Sequence, residues 1–501
     1  MSGLDFKKIL LKNLWWLGII LIAAIWFRLD FNFNSAFPLE NATILKGNLV
    51  LSSEGSSLIH DNYSLPVFTT IFSIGSSFGS LLGARITSLF LSLFMLFFFY
   101  KFANRLFNDK LASAFSVIFL AVQAPIIFLG KFASNDILSL ALFSAFLMVM
   151  SEILTSDDKS GKIQFINISK QLFCPIAASI LFVLAAFSNY VVFLYLIPTL
   201  LFFLIKDKKT GVYFVFSTII LSFFIYLLNF EIINYQISTI ININNENFKT
   251  MKLLVRIAEY IAFPLMLTYA TLQILWKTEL KVSLVYTFIA SSLIIPLYII
   301  ISYDVFNIYR LIPFSLILLS PFCGIIISKF ILINPSYKYA TIFAMYFIVA
   351  VSYWNLTKLE MSYPNTDTIV NYCSEYFDKN TTVYCEDPYL ISNSFYPSIN
   401  IQNFRSIYYM DSNNKSFVQR KENIINQIEN GMINYVILNG LFHSDFTEQL
   451  KEKHLKGKYL RIMSQEFTCN TLMYPTNEGS FDIYRIKPEY KYIRKFLSKR
   501  E

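Results

Sequence analysis

Residues 105–150 read RLFNDKLASAFSVIFLAVQAPIIFLGKFASNDILSLALFSAFLMVM, which is a basic turn, an apolar run, a short polar turn and a second apolar run. The runs 111–129 and 136–154 each have the length of roughly 20 residues that an α-helix needs to cross a bilayer. The turn between them carries Lys131 and Asp136 at the edge of the apolar region, where an ionised group is costly unless it caps, pairs or reacts. The stretch therefore predicts two membrane spans joined by a turn whose charges need a chemical explanation.

The composition of the whole chain agrees with a membrane protein. Of its 501 residues 55% are hydrophobic, 17% aromatic and only 15% charged, and the mean hydropathy is +0.51. A soluble domain of ordinary composition carries far more charge. The net charge of +9 does not indicate nucleic acid, because no basic run with interleaved aromatic residues marks a nucleic-acid groove.

Apolar runs of spanning length occur about eleven times, and the first is interpreted as a retained span because no small-residue cleavage site follows it. The predicted spans are 13–28, 82–100, 111–129, 136–154, 172–187, 189–205, 212–229, 255–275, 282–301, 309–328 and 338–354.

The placement of basic residues orients these spans. Loops on the side of the N-terminus hold sixteen lysines and arginines, and loops on the other side hold eight. Basic residues concentrate on cytoplasmic loops, so the N-terminus is predicted to be cytoplasmic. We expect a transmembrane module 1–354 with a long first outer loop 29–81, an extracytoplasmic domain 355–486 and a basic tail 487–501. A bacterial inner membrane is the expected location, since no eukaryotic retention signal is present.

The domain 355–486 has an α/β pattern. NTDTIVNYCSEYFDKN (365–380) and KENIINQIENG (421–431) place apolar residues at helical spacing, the second ending at Gly431. TTVYCED (381–387), INYVILN (433–439) and FDIYRI (481–486) are typical of strands.

Cysteines, histidines and glycine-rich motifs exclude several functions. Cys373 and Cys385 could form a disulfide, or both could be buried thiols. The three histidines lack ligand spacing, which argues against a zinc site. No phosphate-binding loop of the G-x-x-x-x-G-K-[ST] type occurs, so no nucleotide cofactor is expected.

Several charged residues fall on the outer face. Asp30 and Glu40 follow the first span, Lys131 and Asp136 separate the third and fourth, and Arg310 opens the tenth. Each also has a structural explanation: an acid at a helix N-terminus caps it, and an arginine at a span end anchors it to headgroups.

The stretch from Gly83 to Phe146 resembles the GT-C glycosyltransferases of the protein O-mannosyltransferase and aminoarabinose-transferase type. Arg85 opens a span, Arg105-Leu106-Phe107 forms the inner turn, and Lys131 stands where the family has an outer arginine ahead of the acid Asp136.

Three further segments are similar to the same family. FPLENATILKGNLVL (37–51) resembles its first-loop acid pair, with Leu39 in the place of the aspartate and Glu40 as the remaining acid. DNYSLPVFTTIF (61–72) resembles the segment that follows, and NIYRLIPFSLILLSPF (307–322) resembles a late segment whose arginine is Arg310.

The resemblance implies a polytopic α-helical membrane protein of GT-C type, with about 11 transmembrane helices and a C-terminal extracytoplasmic α/β domain. It implies transfer of a sugar from a polyprenyl-phosphate donor to a hydroxyl of a lipid, glycan or protein acceptor, without a metal or other cofactor. A carboxylate would take the acceptor's proton and a cation would stabilise the leaving phosphate.

Glu40 is the expected base, with Asp30 and Asp61 as substitutes. Asp136 is expected to position the acceptor or its own loop. Arg310 is expected to hold the phosphate. Lys131, Asp61 and Arg85 complete the expected substrate-binding set.

Two functions of other classes remain open. A transporter or lipid flippase would place polar groups at mid-membrane on broken helices in two related halves, and no second half is detected. A non-catalytic scaffold would display the outer domain to a partner and would tolerate neutralisation of Glu40, Asp136 and Arg310.

Overall fold

The computed structural model describes most of the chain. The residues that it describes are 22, 24–29, 37–52, 65–155, 164–206, 208–230, 233, 250–275, 287–302, 307–333, 335–361, 364–386, 394, 399, 403–407, 417–440, 444–468 and 478–491. Asp30, Asp61, most of the first predicted span and most of the basic tail lie outside these ranges.

Two compact units divide the chain. The first comprises Met1–Phe31, Asn62–Phe68 and Arg85–Leu356, and the second comprises Asn32–Asp61, Thr69–Ala84 and Thr357–Glu501. The predicted boundaries at 354 and 486 stay predictions.

Long helices make up most of the described chain. In order they are α1 (Pro38–Ser52), α2 (Thr70–Phe107), α3 (Lys110–Ala121), α4 (Ala124–Lys131), α5 (Asn135–Thr155), α6 (Gln164–Ser188), α7 (Leu196–Lys206), α8 (Lys208–Leu228), α9 (Thr250–Leu275), α10 (Ile294–Ser302), α11 (Ile308–Ile333) and α12 (Pro335–Glu360). Short 3₁₀ helices, Pro66–Thr69 and Tyr190–Tyr195, precede α2 and α7.

Six helices in the described residues are long and apolar enough to cross a membrane, or seven if a bent pair counts as one span. The bent pair is α3 and α4, which meet at 69° in the middle of the predicted span 111–129. Pro125, at the start of α4, has no N–H to continue the α3 helix, which accounts for the break. The predicted count of about eleven spans is not confirmed.

The predicted spans 172–187, 189–205 and 282–301 correspond to shorter apolar helices in the described residues, Phe173–Ser188, Tyr190–Leu201 and Thr287–Ser302. At the first of these boundaries Asn189 interrupts the helix. Its side-chain oxygen accepts the N–H of Val191 at 3.1 Å and so starts the 3₁₀ helix.

Helix α11 lies at the centre of the first unit. Residues 308–328 of its spanning segment are all buried, and α3 and α9 pack along it. Close packing is helped by Gly324, where an added Cβ would stand 2.1 Å from Ser116 Oγ. A buried aromatic cluster fills the space beside α11, since the Phe143 ring contacts Tyr195 at 5.1 Å and Phe314 at 5.6 Å between centroids.

The second unit contains a five-stranded sheet. Its strands are β1 (Val383–Cys385), β2 (Phe404–Arg405), β3 (Tyr435–Leu438), β4 (Tyr459–Thr468) and β5 (Glu478–Ile486), in the order β2-β1-β3-β5-β4. β1 runs parallel to β2 and β3, while β5 is antiparallel to β3 and β4. The helices are α13 (Asp367–Tyr376), α14 (Phe417–Glu429), α15 (Ser444–Gln449) and α16 (Pro488–Lys491).

The α/β prediction for this part of the chain is confirmed in most elements. Both predicted helices and all three predicted strands are present. Gly431 has a φ of +66°, and the N–H of Met432 bonds to Gln427 O at 2.9 Å, so α14 ends in a left-handed cap. β2 and β4 were not predicted; β4 mixes polar and apolar residues because much of it is exposed. The sequence left two alternatives for Cys373 and Cys385, a disulfide or two buried thiols. In the structure both are buried free thiols.

Candidate functional site

The carboxylate of Asp136 lies at the first turn of α5 and is fully buried. Ser134 Oγ donates to Asp136 Oδ2 at 2.7 Å, and the same hydroxyl accepts the N–H of Asp136 at 3.0 Å. Asn189 Nδ2 donates to Asp136 Oδ1 at 2.9 Å. The capping role expected for this turn is therefore present, with Ser134 as the residue that caps.

The guanidinium of Arg310 binds this carboxylate along one edge. Nε donates to Asp136 Oδ2 at 2.7 Å and Nη2 to Oδ1 at 3.3 Å. Nη1 donates to Asn307 Oδ1 at 3.0 Å. The Arg310 side chain is 9% exposed and that of Asp136 1%, so this is a buried, bidentate ion pair.

The sequence placed Asp136 and Arg310 on one face, and the structure brings them into direct contact. Asp136 was expected to position the acceptor or its own loop, and Arg310 to hold the phosphate; in the structure the two form an ion pair with each other. The two charges of this buried pair neutralise each other at close range. Their direct contact also positions the N-terminal ends of α5 and α11 relative to each other.

Arg85 and Lys131, both assigned to substrate binding, meet at one aromatic ring. Arg85 Cζ lies 5.1 Å and Lys131 Nζ 5.7 Å from the centroid of Phe132. Both side chains are buried, with 3% and 2% of their surface exposed. Two cations on one ring repel each other, so their convergence favours an anion or carboxylate close by.

A row of aromatic rings links this cation pair to α11. Phe132 contacts Phe128 at 4.7 Å between centroids, and Phe128 contacts the edge of Tyr309 at 5.2 Å. Tyr309 precedes Arg310 in α11. The two polar centres, the cation pair and the ion pair, therefore belong to one packed region of the first unit.

Glu40 lies in the second unit, at the first turn of α1, and is fully buried. Its Oε2 accepts the backbone N–H of Phe37 at 3.2 Å. The carboxylate thus caps its own helix, as an acid at this position is expected to do.

An apolar cavity opens between the helices of the first unit. It is lined by Phe143, Phe146, Tyr195, Phe288, Ser291 and Leu318 among others. Phe143 follows Asp136 by two turns of α5, and Leu318 follows Arg310 by about two turns of α11, so the cavity begins about 10 Å along the helices from the ion pair.

Sequence reasoning missed Asn189 and Asn307, which complete the shell around the ion pair. A signal for Asn189 was present, since it is a polar residue between two apolar runs. Asn307 carries no such signal, because it lies in a loop where asparagine is common. Within the described ranges, no three His, Cys, Asp or Glu side chains are grouped closely enough to hold a metal ion.

These observations define an integral membrane protein whose polar site is built from the ends of packed apolar helices. No protein-family model matches the chain, and no curated protein matches its sequence. Solved structures do match it.

ArnT from Cupriavidus metallidurans in the apo state matches at a TM-score of 0.58 and 12% identity, over 98% of this chain and 99% of that one. The same protein bound to undecaprenyl phosphate matches at 0.57 and 12% identity, over 94% and 98%. The oligosaccharyltransferase AglB from Archaeoglobus fulgidus, in complex with an inhibitory peptide and a dolichol-phosphate, matches at 0.52 and 12% identity, over 87% and 71%.

ArnT and AglB are members of the GT-C superfamily. At this level of identity the likeness concerns the fold, and it extends over nearly the whole chain. The GT-C fold that the sequence resemblance implied is therefore confirmed.

Proposed function

We propose that this protein is a membrane glycosyltransferase that moves a sugar from a polyprenyl-phosphate-linked donor to a hydroxyl of an acceptor. The observation that carries the proposal is the match in fold over 98% of the chain to ArnT, a protein whose structure also holds undecaprenyl phosphate. The AglB structure, with its dolichol-phosphate, supports the same lipid chemistry.

The buried cations support a donor that carries phosphate. When the bond between the anomeric carbon and the phosphate oxygen breaks, the electron pair leaves with the oxygen and the lipid phosphate gains negative charge. Arg85 and Lys131, at 5.1 and 5.7 Å from the Phe132 ring, are the cations that we assign to this charge. In a site with little water their attraction for the phosphate is stronger than at an exposed surface.

Arg310 has a different role in this proposal from the one expected from sequence. Its Nε–Nη2 edge is occupied by Asp136, so its contribution to phosphate binding is indirect. Asp136, Asn189 and Asn307 together fix the guanidinium, and the ion pair holds the outer ends of α5 and α11 in place.

Glu40 is proposed as the base that takes the proton of the acceptor hydroxyl as the oxygen attacks the anomeric carbon. A carboxylate is suited to this step because the proton becomes acidic only in the transition state. Asp30 and Asp61 are the next candidates. A single displacement of this kind inverts the anomeric centre.

The cavity beside the ion pair supports an apolar donor tail. Its lining is almost entirely aromatic and aliphatic, and it begins about 10 Å from the ion pair along α5 and α11. A branched hydrocarbon chain that extends inward from the phosphate would fill it. The acceptor is a lipid, a glycan or a protein, and the proposed location is a bacterial inner membrane with the N-terminus in the cytoplasm.

The test is transfer from a panel of labelled polyprenyl-phosphate sugars in membranes that contain the wild-type protein. Crude lipid and glycan acceptors and a peptide acceptor are offered in parallel. Transfer that depends on one donor and is lost in Glu40→Gln supports the proposal. A folded protein that uses none of the donors with any acceptor contradicts it.

A further inference from the structure

Arg28 is a fully buried arginine that no motif marks and that the proposed reaction has not used. It lies in the helical segment 24–29 of the first unit and is 1% exposed. Its Nε donates to Ser92 Oγ at 3.2 Å, and its Nη1 donates to the carbonyl of Ala24 at 2.8 Å. Among the residues that the structure describes, its buried Nη2 has no hydrogen-bond partner.

Arg310 shows how this chain satisfies a buried guanidinium elsewhere. There the Nε–Nη2 edge binds both oxygens of a carboxylate, and Nη1 binds a side-chain amide. In Arg28 the same edge has a neutral hydroxyl at Nε, and Nη2 has no hydrogen-bond partner within the described ranges. A positive charge buried in this way is costly unless an anion completes the edge.

The surroundings of Arg28 point to an exchangeable anion. Arg28 lies against Gly130, where an added Cβ would stand 3.4 Å from its Nε and 2.6 Å from Ser92 Oγ. Gly130 is followed directly by Lys131 and then by Phe132. The Phe132 ring is the one over which the cations of Lys131 and Arg85 lie. Arg28 therefore lies against Gly130 at the end of α4, one residue before Lys131 in the chain.

We propose that Arg28 is a further phosphate-binding residue, which holds the phosphate of polyprenyl phosphate through its Nε–Nη2 edge. The proposal rests on the proposed function for the identity of the lipid. A phosphate carries two oxygens at the spacing that this edge binds, so the anion displaces the weaker Ser92 hydroxyl from Nε and satisfies Nη2 at the same time. Without the ligand the buried charge of Arg28 is incompletely hydrogen-bonded, and binding of the phosphate completes its hydrogen bonds.

The experiment measures thermal unfolding and ligand affinity of the purified full chain in nanodiscs of neutral lipid. The probes are polyprenyl phosphate, inorganic phosphate and phosphatidylglycerol, each titrated separately. The variants are Arg28→Met, which keeps the volume without the charge, and Arg28→Lys, which keeps the charge without the bidentate edge. Arg256→Met is the matched control, because Arg256 is paired with Glu259 on the surface of α9.

The wild-type protein is expected to be stabilised by polyprenyl phosphate and much less by the other two probes. Arg28→Lys should fold and bind polyprenyl phosphate about tenfold more weakly, since a point charge cannot replace two parallel hydrogen bonds. Arg28→Met should unfold at the same or a higher temperature without ligand and lose the ligand's stabilisation. Arg256→Met should bind as the wild type does.

Unchanged affinity in Arg28→Lys and Arg28→Met would overturn the proposal, whatever their unfolding temperatures. Equal stabilisation by inorganic phosphate or by phosphatidylglycerol would overturn the assignment of the anion to polyprenyl phosphate.

Different results would contradict the proposed function and the proposed role of Arg28. Binding that depends on Arg28 in a protein that transfers no sugar would contradict the proposed function alone. Normal transfer with an unchanged donor KM in both Arg28 variants would contradict the role of Arg28 alone.

Discussion

Arg310 binds the carboxylate of Asp136 through two nitrogen atoms, at 2.7 and 3.3 Å, across a separation of 174 residues in the chain. The contact joins the first turn of α5 to the first turn of α11, a helix of the first unit whose residues 308–328 are all buried. Three neutral donors or acceptors, from Ser134, Asn189 and Asn307, complete the shell.

Removing one charge of this pair should destabilise the protein strongly. We expect Asp136→Asn to lower the free energy of unfolding by about 3–5 kcal/mol, because it leaves the Arg310 charge buried without a counter-ion. Adding Arg310→Gln should restore part of the loss. Thermal and denaturant unfolding of the three variants measures both effects. Glu259→Gln, which breaks an exposed pair with Arg256, is the control and should cost at most about 1 kcal/mol.

An equal loss in Asp136→Asn and in the double variant would show that the two charges do not compensate each other.

Glu40→Gln should abolish transfer while leaving the fold intact. Glutamine keeps an oxygen that can accept the N–H of Phe37, so the cap survives, while the proton acceptor is lost. The expected loss in kcat is about 10²–10⁴-fold, the usual contribution of a general base. Asp367→Asn is the matched control, since Asp367 is also an acid in the first turn of a helix. Full activity in Glu40→Gln would move the assignment to Asp30 or Asp61.

Lys131→Gln should weaken donor binding more than it slows the transfer step. Loss of one charge-assisted contact to the phosphate raises the donor KM by roughly tenfold or more. Lys101→Gln provides the comparison, because Lys101 Nζ lies 5.6 Å from the Phe97 ring, nearly the distance from Lys131 to Phe132. Steady-state kinetics over a range of donor concentrations separates the two constants. The same rise in donor KM for both variants would argue against a phosphate contact at Lys131.

Filling the cavity should discriminate between donors by the length of their chains. Ser291→Phe places a ring in the apolar cavity, so a long-chain donor should bind less well while a short-chain donor is used normally. Ser302→Phe is the control, since Ser302 is on α10, close in sequence to Ser291, and does not line the cavity. The measurement is the ratio of kcat/KM for the two donors in each variant. An unchanged ratio in Ser291→Phe would place the donor tail elsewhere.

The sheet of the second unit should lose stability in acid through Asp482. Burial by itself raises the pKa of Asp482, but hydrogen bonds from Lys451, Ser464 and Ser480 lower it by more, so the pKa lies below its ordinary value. A lowered pKa in the folded state stabilises the protein above the unfolded-state pKa, and the stabilisation disappears as the pH falls through the folded-state pKa. We therefore expect an extra loss of stability below about pH 4.

Unfolding of the full chain, followed between pH 3 and 7 by a probe in the second unit, measures this loss. Asp482→Asn should unfold at a lower temperature at pH 7 and show a smaller decrease in acid. Parallel curves for the wild type and Asp482→Asn would contradict the assignment.

Two features could be predicted from patterns among residues close together in the sequence: the mainly helical structure of the chain, and the α/β structure of the second unit. Gly431 shows why: a glycine after a helical run ends α14 because it adopts a positive φ, which depends on local geometry alone. The cap at Ser134 and Asp136 was predictable for the same reason. β4 was not predictable, because most of its residues are at least partly exposed and it shows no clear alternation of polar and apolar residues.

The lengths of the spans were less predictable. Hydropathy treats 111–129 as one helix, yet Pro125 and the 69° bend divide it into α3 and α4. That division places Gly130 against Ser92 and Arg28, a contact between segments far apart in the chain.

The sequence by itself determined that this is a helical membrane protein and in what order its helices follow. The length of an apolar run sets the free energy of its transfer into a membrane, and this depends on local sequence alone. It also indicated Glu40, Arg85, Lys131, Asp136 and Arg310 as charged residues of the site, but not Arg28. Only the tertiary structure decided their roles, because a buried charge takes its partner from whichever helix packs against it. Asp136 is held by Arg310, while Arg28 keeps an unsatisfied nitrogen in the same unit, and nothing in the spacing of these residues distinguishes the two cases.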